Sequence, residues 1–125
     1  MKKFSVEWKS STKPGKQRKY RFNAPLHIRK KFVSAHLSKD LRQKLKKRNV
    51  DLRKGDKVKV MRGQFRKHEG KVESIDLKGP RVFVSGVETT KKDGTKKLLR
   101  LHPSNLMITE MNFDDKLRQK ILERK

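Results

Sequence analysis

The chain has 125 residues, enough for one small domain with extensions. Its 37 Lys+Arg outnumber 13 Asp+Glu for a formal net charge of +24, an excess that would make a free globule repel itself unless a polyanion supplied the missing charge. Cysteine is absent, which excludes disulfides, thiolate zinc sites and a Cys nucleophile, and no apolar run of about 18 residues exists to span a bilayer.

Nucleic acid is the polyanion that fits best, because each phosphate neutralised releases condensed counterions. An anionic membrane surface fits poorly: the basic stretches lack a continuous apolar face. Met1-Lys2-Lys3 is followed by Phe4-Ser5-Val6-Glu7-Trp8, with no apolar core of a signal peptide. With 31% hydrophobic and 40% charged residues, the core is thin, so part of the chain is expected to be ordered by its partner. Charge divides the chain in three. Residues 1–54 hold 19 basic and 3 acidic residues, residues 55–111 hold 13 and 7, and residues 112–125 hold 5 and 3, so two-thirds of the excess precedes Gly55.

The elements follow in order. Residues 9–21 have turn formers and charge without periodicity, and read as an irregular arm that is disordered in solution. Asn23 can cap a first helix with Pro25 near its start and Ile28, Phe32 and Val33 on one face. Ser38 caps a second, with Asp40 in its first turn and Leu41 and Leu45 at i, i+4. From Gly55 the period becomes two. Val58 and Val60 mark a strand, a loop runs from Arg62 to Glu69, and a second strand starts at Gly70. Within that strand the apolar set changes phase between Val72 and Ile75, which predicts a β-bulge. Lys78-Gly79-Pro80 turns into a strand at Val82 and Val84, and Lys92-Asp93-Gly94 connects a hairpin of residues 87–89 and 97–101. Leu106 and Ile108 form a last strand. Four or five short bent strands in about 55 residues suggest a small closed barrel. Asn112 caps a C-terminal helix with Phe113, Leu117 and Ile121 on one face. The expected organisation is a basic arm with short helices at 1–54, a barrel at 55–110 and a helix at 111–125.

Catalytic readings are weak. His27, His36, His68 and His102 are scattered without the i, i+3 or i, i+4 partner of a metal site, and no phosphate-cradling Gly-x-x-x-x-Gly-Lys loop exists. The expectation is therefore no enzyme, no cofactor, no metal and no small-molecule substrate. The cationic clusters are the stronger signal. Lys16, Arg18, Lys19, Tyr20 and Arg21 in the arm, Arg29, Lys30 and Lys31 in the first helix, and Arg42, Lys46, Lys47 and Arg48 around the second are candidate RNA contacts. Trp8, Tyr20, Phe22 and Phe32 interleave with this charge and could stack on unpaired bases, although Phe32 fits the helix's apolar face. Arg62, Gly63, Phe65, Arg66, Lys67 and His68 form a third candidate contact in the loop, where Phe65 either stacks on a base or folds onto the barrel.

The pattern Gly55-Asp56-x-Val58-x-Val60, then Gly63, then Gly70-Lys71-Val72 resembles the KOW motif of small SH3-like barrels in ribosomal proteins and transcription elongation factors. Gly63 would permit positive φ at the strand end and Gly70 a close approach of the returning strand. The motif usually carries another glycine where this chain has Lys67. Residues 22–31 and 37–44, His102-Pro103-Ser104-Asn105 and residues 120–125 extend the likeness to one ribosomal family, the universal twenty-fourth of the large subunit, numbered twenty-six in eukaryotes. The long basic C-terminal tail typical of eukaryotic members is missing, which points to the archaeal type. The resemblance implies a structural protein of the large subunit in the cytoplasm. It implies partners in large-subunit rRNA, bound in its 5′ region, and in neighbouring ribosomal proteins, a role early in assembly, and a position near the polypeptide exit tunnel. A KOW-type elongation factor normally carries a preceding α/β domain, for which residues 1–54 are too short and too charged; charge alone leaves a DNA-compacting protein open.

Overall fold

The computed structural model describes residues 4, 5, 7 and 10–124. Trp8 and Lys9, and with them the stacking role considered for Trp8, lie outside the described residues.

The N-terminal segment departs from expectation. Residues Pro14–Asn23 form a helix, α1, where an irregular arm is expected. Pro14 at the first helical position and the run of Lys, Gln and Arg favour helix by intrinsic propensity. Periodicity gives no sign of it because α1 buries none of its residues. Leu26–Phe32 form α2. Its N-cap is Pro25 rather than Asn23, and no side chain caps it. Ile28 and Phe32 are half-buried, and Val33 ends the helix inside the core.

Two strands precede Gly55 that the expected division leaves out: β1 (Ser34–Leu37) and β2 (Asn49–Asp51). Between them α3 (Lys39–Leu45) starts where expected, with Ser38 Oγ accepting from Leu41 N at 3.4 Å and Leu41 and Leu45 packed on the core. β1 and β2 are three or four residues long, too short for alternation to stand out against the flanking helical period. The chain continues through β3 (Lys57–Val60), β4 (Glu69–Asp76), β5 (Arg81–Val84), the hairpin β6 (Glu88–Thr90) and β7 (Lys96–Leu98), a 3₁₀ turn Pro103–Asn105, β8 (Leu106–Glu110) and α4 (Lys116–Glu123).

Six strands form one sheet in the order β2-β1-β8-β3-β4-β5. β1 runs parallel to β8 and the other neighbours are antiparallel. The register of β4 on β5 shifts between Val72 and Ser74, which is the bulge expected from the phase change. The bend brings β5 against Leu101, whose N–H and C=O both pair with Val82, so the sheet curls into a small mainly-β barrel with helical extensions. Val58, Val60, Val72, Val82, Val84, Leu106 and Ile108 fill it, joined by Val33, Ala35, Leu37 and Leu52 from before Gly55.

The glycines of the motif behave as their positions require. Gly63 has φ +91, and a Cβ on Gly70 would stand 2.5 Å from the Ser85 carbonyl oxygen. Lys67 has φ +74, a left-handed conformation that costs an L-residue about 1–2 kcal/mol. Its N–H donates to Val60 O at 2.8 Å, which closes the loop and holds that conformation. Lys67→Gly is therefore expected to stabilise the protein by about 0.5–1 kcal/mol, the relieved strain less the larger entropy glycine loses on folding. Lys67→Val should destabilise it, because β-branched residues tolerate positive φ poorly. Urea denaturation of both variants checks the pair, and a loss in the glycine variant would contradict the strain.

The C-terminal helix is docked by charge. Its cap is Asp115, accepting from Leu117 N at 2.7 Å and Arg118 N at 3.4 Å, where Asn112 is expected. The face turned inward is Arg118 and Leu122, while Phe113, Leu117 and Ile121 are exposed, the reverse of the expected face. The reason is Asp56. This fully buried carboxylate takes both terminal nitrogens of Arg118, at 2.5 and 2.7 Å, and so fixes the rotation of α4.

Candidate nucleic-acid interface

The cations divide into three regions by position in the fold. The first is α1 and α2. Lys16, Arg18, Lys19 and Arg21 are exposed on α1, and Lys30 and Lys31 on α2. Arg29 is half-buried; its Nε donates to Ala24 O at 2.7 Å and a terminal nitrogen to Phe22 O. It thus satisfies carbonyls that the end of α1 leaves open. Tyr20 is half-buried and packs its ring against Phe4, centroids 4.8 Å apart, and edge-on to Phe32 at 6.2 Å. Among the described residues, the aromatic ring left open on this surface is Phe22, 77% exposed. Sequence alone cannot separate the two rings, which lie two positions apart on a helix without an apolar face.

The second region surrounds β1. Arg42 follows the Ser38 cap, with a weak bond to Leu37 O at 3.4 Å, and Arg48 is tied through its carbonyl to Leu37 N. Lys46 ends α3 with φ +52, and Lys47 Nζ reaches across to Ile121 O of α4 at 2.6 Å. His36 sits among these cations. Partial burial, then the Arg42 and Arg48 charges, hold its imidazole below the ordinary value of 6.5. The sequence reading misses its role because the strand carrying it is unrecognised. A lowered value in the folded chain means that the unfolded chain binds the proton more readily, so stability falls as pH drops below about 6.5. His36→Gln is expected to lose this part of the acid sensitivity, as measured by melting temperature between pH 7.5 and 5; an unchanged slope would contradict it.

The third region is the β3–β4 loop. Arg62, Arg66 and Lys67 are exposed. Arg66 N–H donates to Gly63 O at 3.1 Å and His68 N–H to Phe65 O at 3.1 Å, so the cations ride on a compact turn. Phe65 is half-buried and packs against the core. The His68 ring lies 2.9 Å from Ser85 O through Nε2, which anchors the end of the loop. The loop begins beside the 3₁₀ turn, since Met61 N–H donates to Asn105 O at 2.8 Å.

Few of these charges are neutralised internally. Five ion pairs occur among the described residues, and the cations in them are Arg53, Lys57, Lys59, Lys96 and Arg118, none belonging to the three regions. No group of three or more His, Asp and Glu among the described residues could hold a metal ion, and no described helix is long and apolar enough to cross a membrane. An open groove of about 660 Å³ lies between α3 and α4, lined by Lys44 to Lys47 and Phe113.

Fold and surface together define a small mainly-β barrel with helical extensions that presents clusters of exposed cations. A family profile described as the eukaryotic ribosomal proteins L26 and their archaeal L24 counterparts matches residues 11–125. The large ribosomal subunit protein uL24 of Methanosphaera stadtmanae is 49% identical over 115 residues, 92% of this chain and 98% of that protein. Its counterpart in Methanothrix thermoacetophila is 51% identical over 114 residues, 91% and 98% of the two chains. The chain belongs to this ribosomal protein family, in its archaeal form, and is a structural rather than a catalytic component.

Proposed function

We propose that this protein is a structural constituent of the large ribosomal subunit that binds rRNA through the three cationic regions. The observation that carries the reading is the shortage of internal partners. A net charge of +24 is set on a barrel whose described ion pairs number five. The remaining charge needs phosphate. Cations on α1 and α2, on α3 and the turn after it, and on the β3–β4 loop come from separate parts of the fold, which suits a protein that pins RNA segments relative to one another. Duplex RNA offers shape, phosphates and 2′-OH groups rather than a readable major groove, so backbone and loop contacts dominate. Phe22 adds an open ring for an unpaired base. Phe65 serves by holding the loop on the barrel.

The family resemblance adds finer expectations: contact with the 5′ region of the rRNA, action early in assembly, and a position near the polypeptide exit. Neighbouring ribosomal proteins find an apolar surface in Leu117 and Ile121 of α4 and Phe113 just before it. Sucrose-gradient sedimentation of lysate tests the reading. The protein should travel with large subunits. Migration with RNA polymerase or genomic DNA would replace it with an elongation factor or a DNA-compacting protein.

A further inference from the structure

We propose that the cleft between the N-terminal helices and the β4–β5 turn seats one phosphodiester of bound RNA. The proposal rests on the rRNA-binding reading and gives it a particular site. The cleft has a volume of about 190 Å³. Five potential donors meet there from separate parts of the chain: Arg21 of α1, Arg29 and Lys31 of α2, Lys78 of the turn, and His102 before the 3₁₀ turn. No carboxylate lines it, and none of its Lys and Arg residues takes part in an ion pair among the described residues. Like charges brought together from this spread of sequence repel one another unless an anion joins them.

The donors are positioned rather than merely present. Arg29 is fixed by its bonds to Ala24 O and Phe22 O, which leave the other terminal nitrogen of its guanidinium uncommitted. His102 Nδ1 accepts from Ser104 N at 3.3 Å and meets Ser104 Oγ at 2.7 Å. That assigns the ring proton to Nε2 and makes it a donor in the neutral form. Lys78 N–H donates to Asp76 Oδ1 at 2.9 Å, so the nearby carboxylate is engaged in the turn. Phe32, Leu77 and Pro80 supply apolar walls, which lower the local dielectric and strengthen charge-assisted hydrogen bonds. A phosphodiester fits the donor set: two acceptor oxygens, one negative charge, and flanking sugars for the apolar walls. Lys78 and His102 lie outside the clusters that sequence alone singles out, because neither stands in a charge run.

The test uses the full chain and a transcript of large-subunit rRNA, with affinity measured across a range of KCl. Lys78→Glu places a carboxylate in the seat and His102→Gln removes the imidazole; both side chains are exposed, and thermal melts confirm that each variant folds. Lys78→Glu should weaken binding about tenfold and reduce the log–log salt slope by about one. His102→Gln should weaken binding to a lesser degree, since it removes one donor and adds no negative charge. A wild-type chain with no salt-dependent affinity for the transcript would overturn the rRNA reading itself. Normal wild-type binding, with affinity and slope unchanged in both variants, would overturn the seat alone and leave an acidic protein segment as the occupant to test.

Discussion

Replacing Asp56 with alanine is expected to destabilise the protein by about 3–5 kcal/mol, the cost of leaving one member of a buried ion pair without its counter-charge. The Asp56 carboxylate accepts from four nitrogens. Arg118 supplies two, Arg53 N donates at 2.8 Å and Asn112 N at 3.0 Å. Arg118 is 3% exposed and also donates to Asn112 O and Asp51 O. Removing the carboxylate orphans a buried guanidinium and frees α4, the β2–β3 connection and the end of β8 together. The melting temperature should drop on the order of 10 °C or more. By contrast, separating Lys57 from Glu110, whose side chains are 40% and 70% exposed, should change stability far less, because water screens an exposed pair. Replacing Asp56 and Arg118 together by apolar residues of similar volume should recover much of the loss. Urea denaturation of the variants gives the comparison. A loss below about 1 kcal/mol for Asp56→Ala would show that the pair does not hold the helix.

That buried pair also marks the limit of what the sequence discloses. Gly55-Asp56 is readable as part of a motif, but a single Asp beside a strand is explained as well by solvation, and its partner lies 62 residues away. The apolar spacing of Phe113, Leu117 and Ile121 points to them as the inner face of the C-terminal helix; a charge pair overrides that pattern and leaves all three exposed, Phe113 ahead of the helix start. β3, β4, β5 and β8 are legible because each carries buried residues on one face, the β6–β7 hairpin because of its turn residues, and the bulge because it breaks the alternation. β1 and β2 are hidden by their brevity, and α1 by having no buried side. At the candidate interface, charge clusters on α1, α2, α3 and the loop are visible as runs. His36, Lys78 and His102 stay hidden because long-range strand pairing and a turn bring them to the cations.

If phosphate supplies the charge the fold lacks, the affinity of the wild-type chain for large-subunit rRNA must depend steeply on salt, and a salt titration measures this most directly. With on the order of 6–10 phosphates neutralised, affinity should fall by roughly 10³–10⁵-fold between about 50 and 200 mM salt, by the duplex-DNA precedent. The exposed cations of α1, α2, α3 and the β3–β4 loop are more than enough for that number of contacts. A linear fall of log affinity with log salt at that steepness is the expected result. An affinity that stays flat across the range would contradict the account, since it would mean that the excess of +24 is not what holds the protein to RNA.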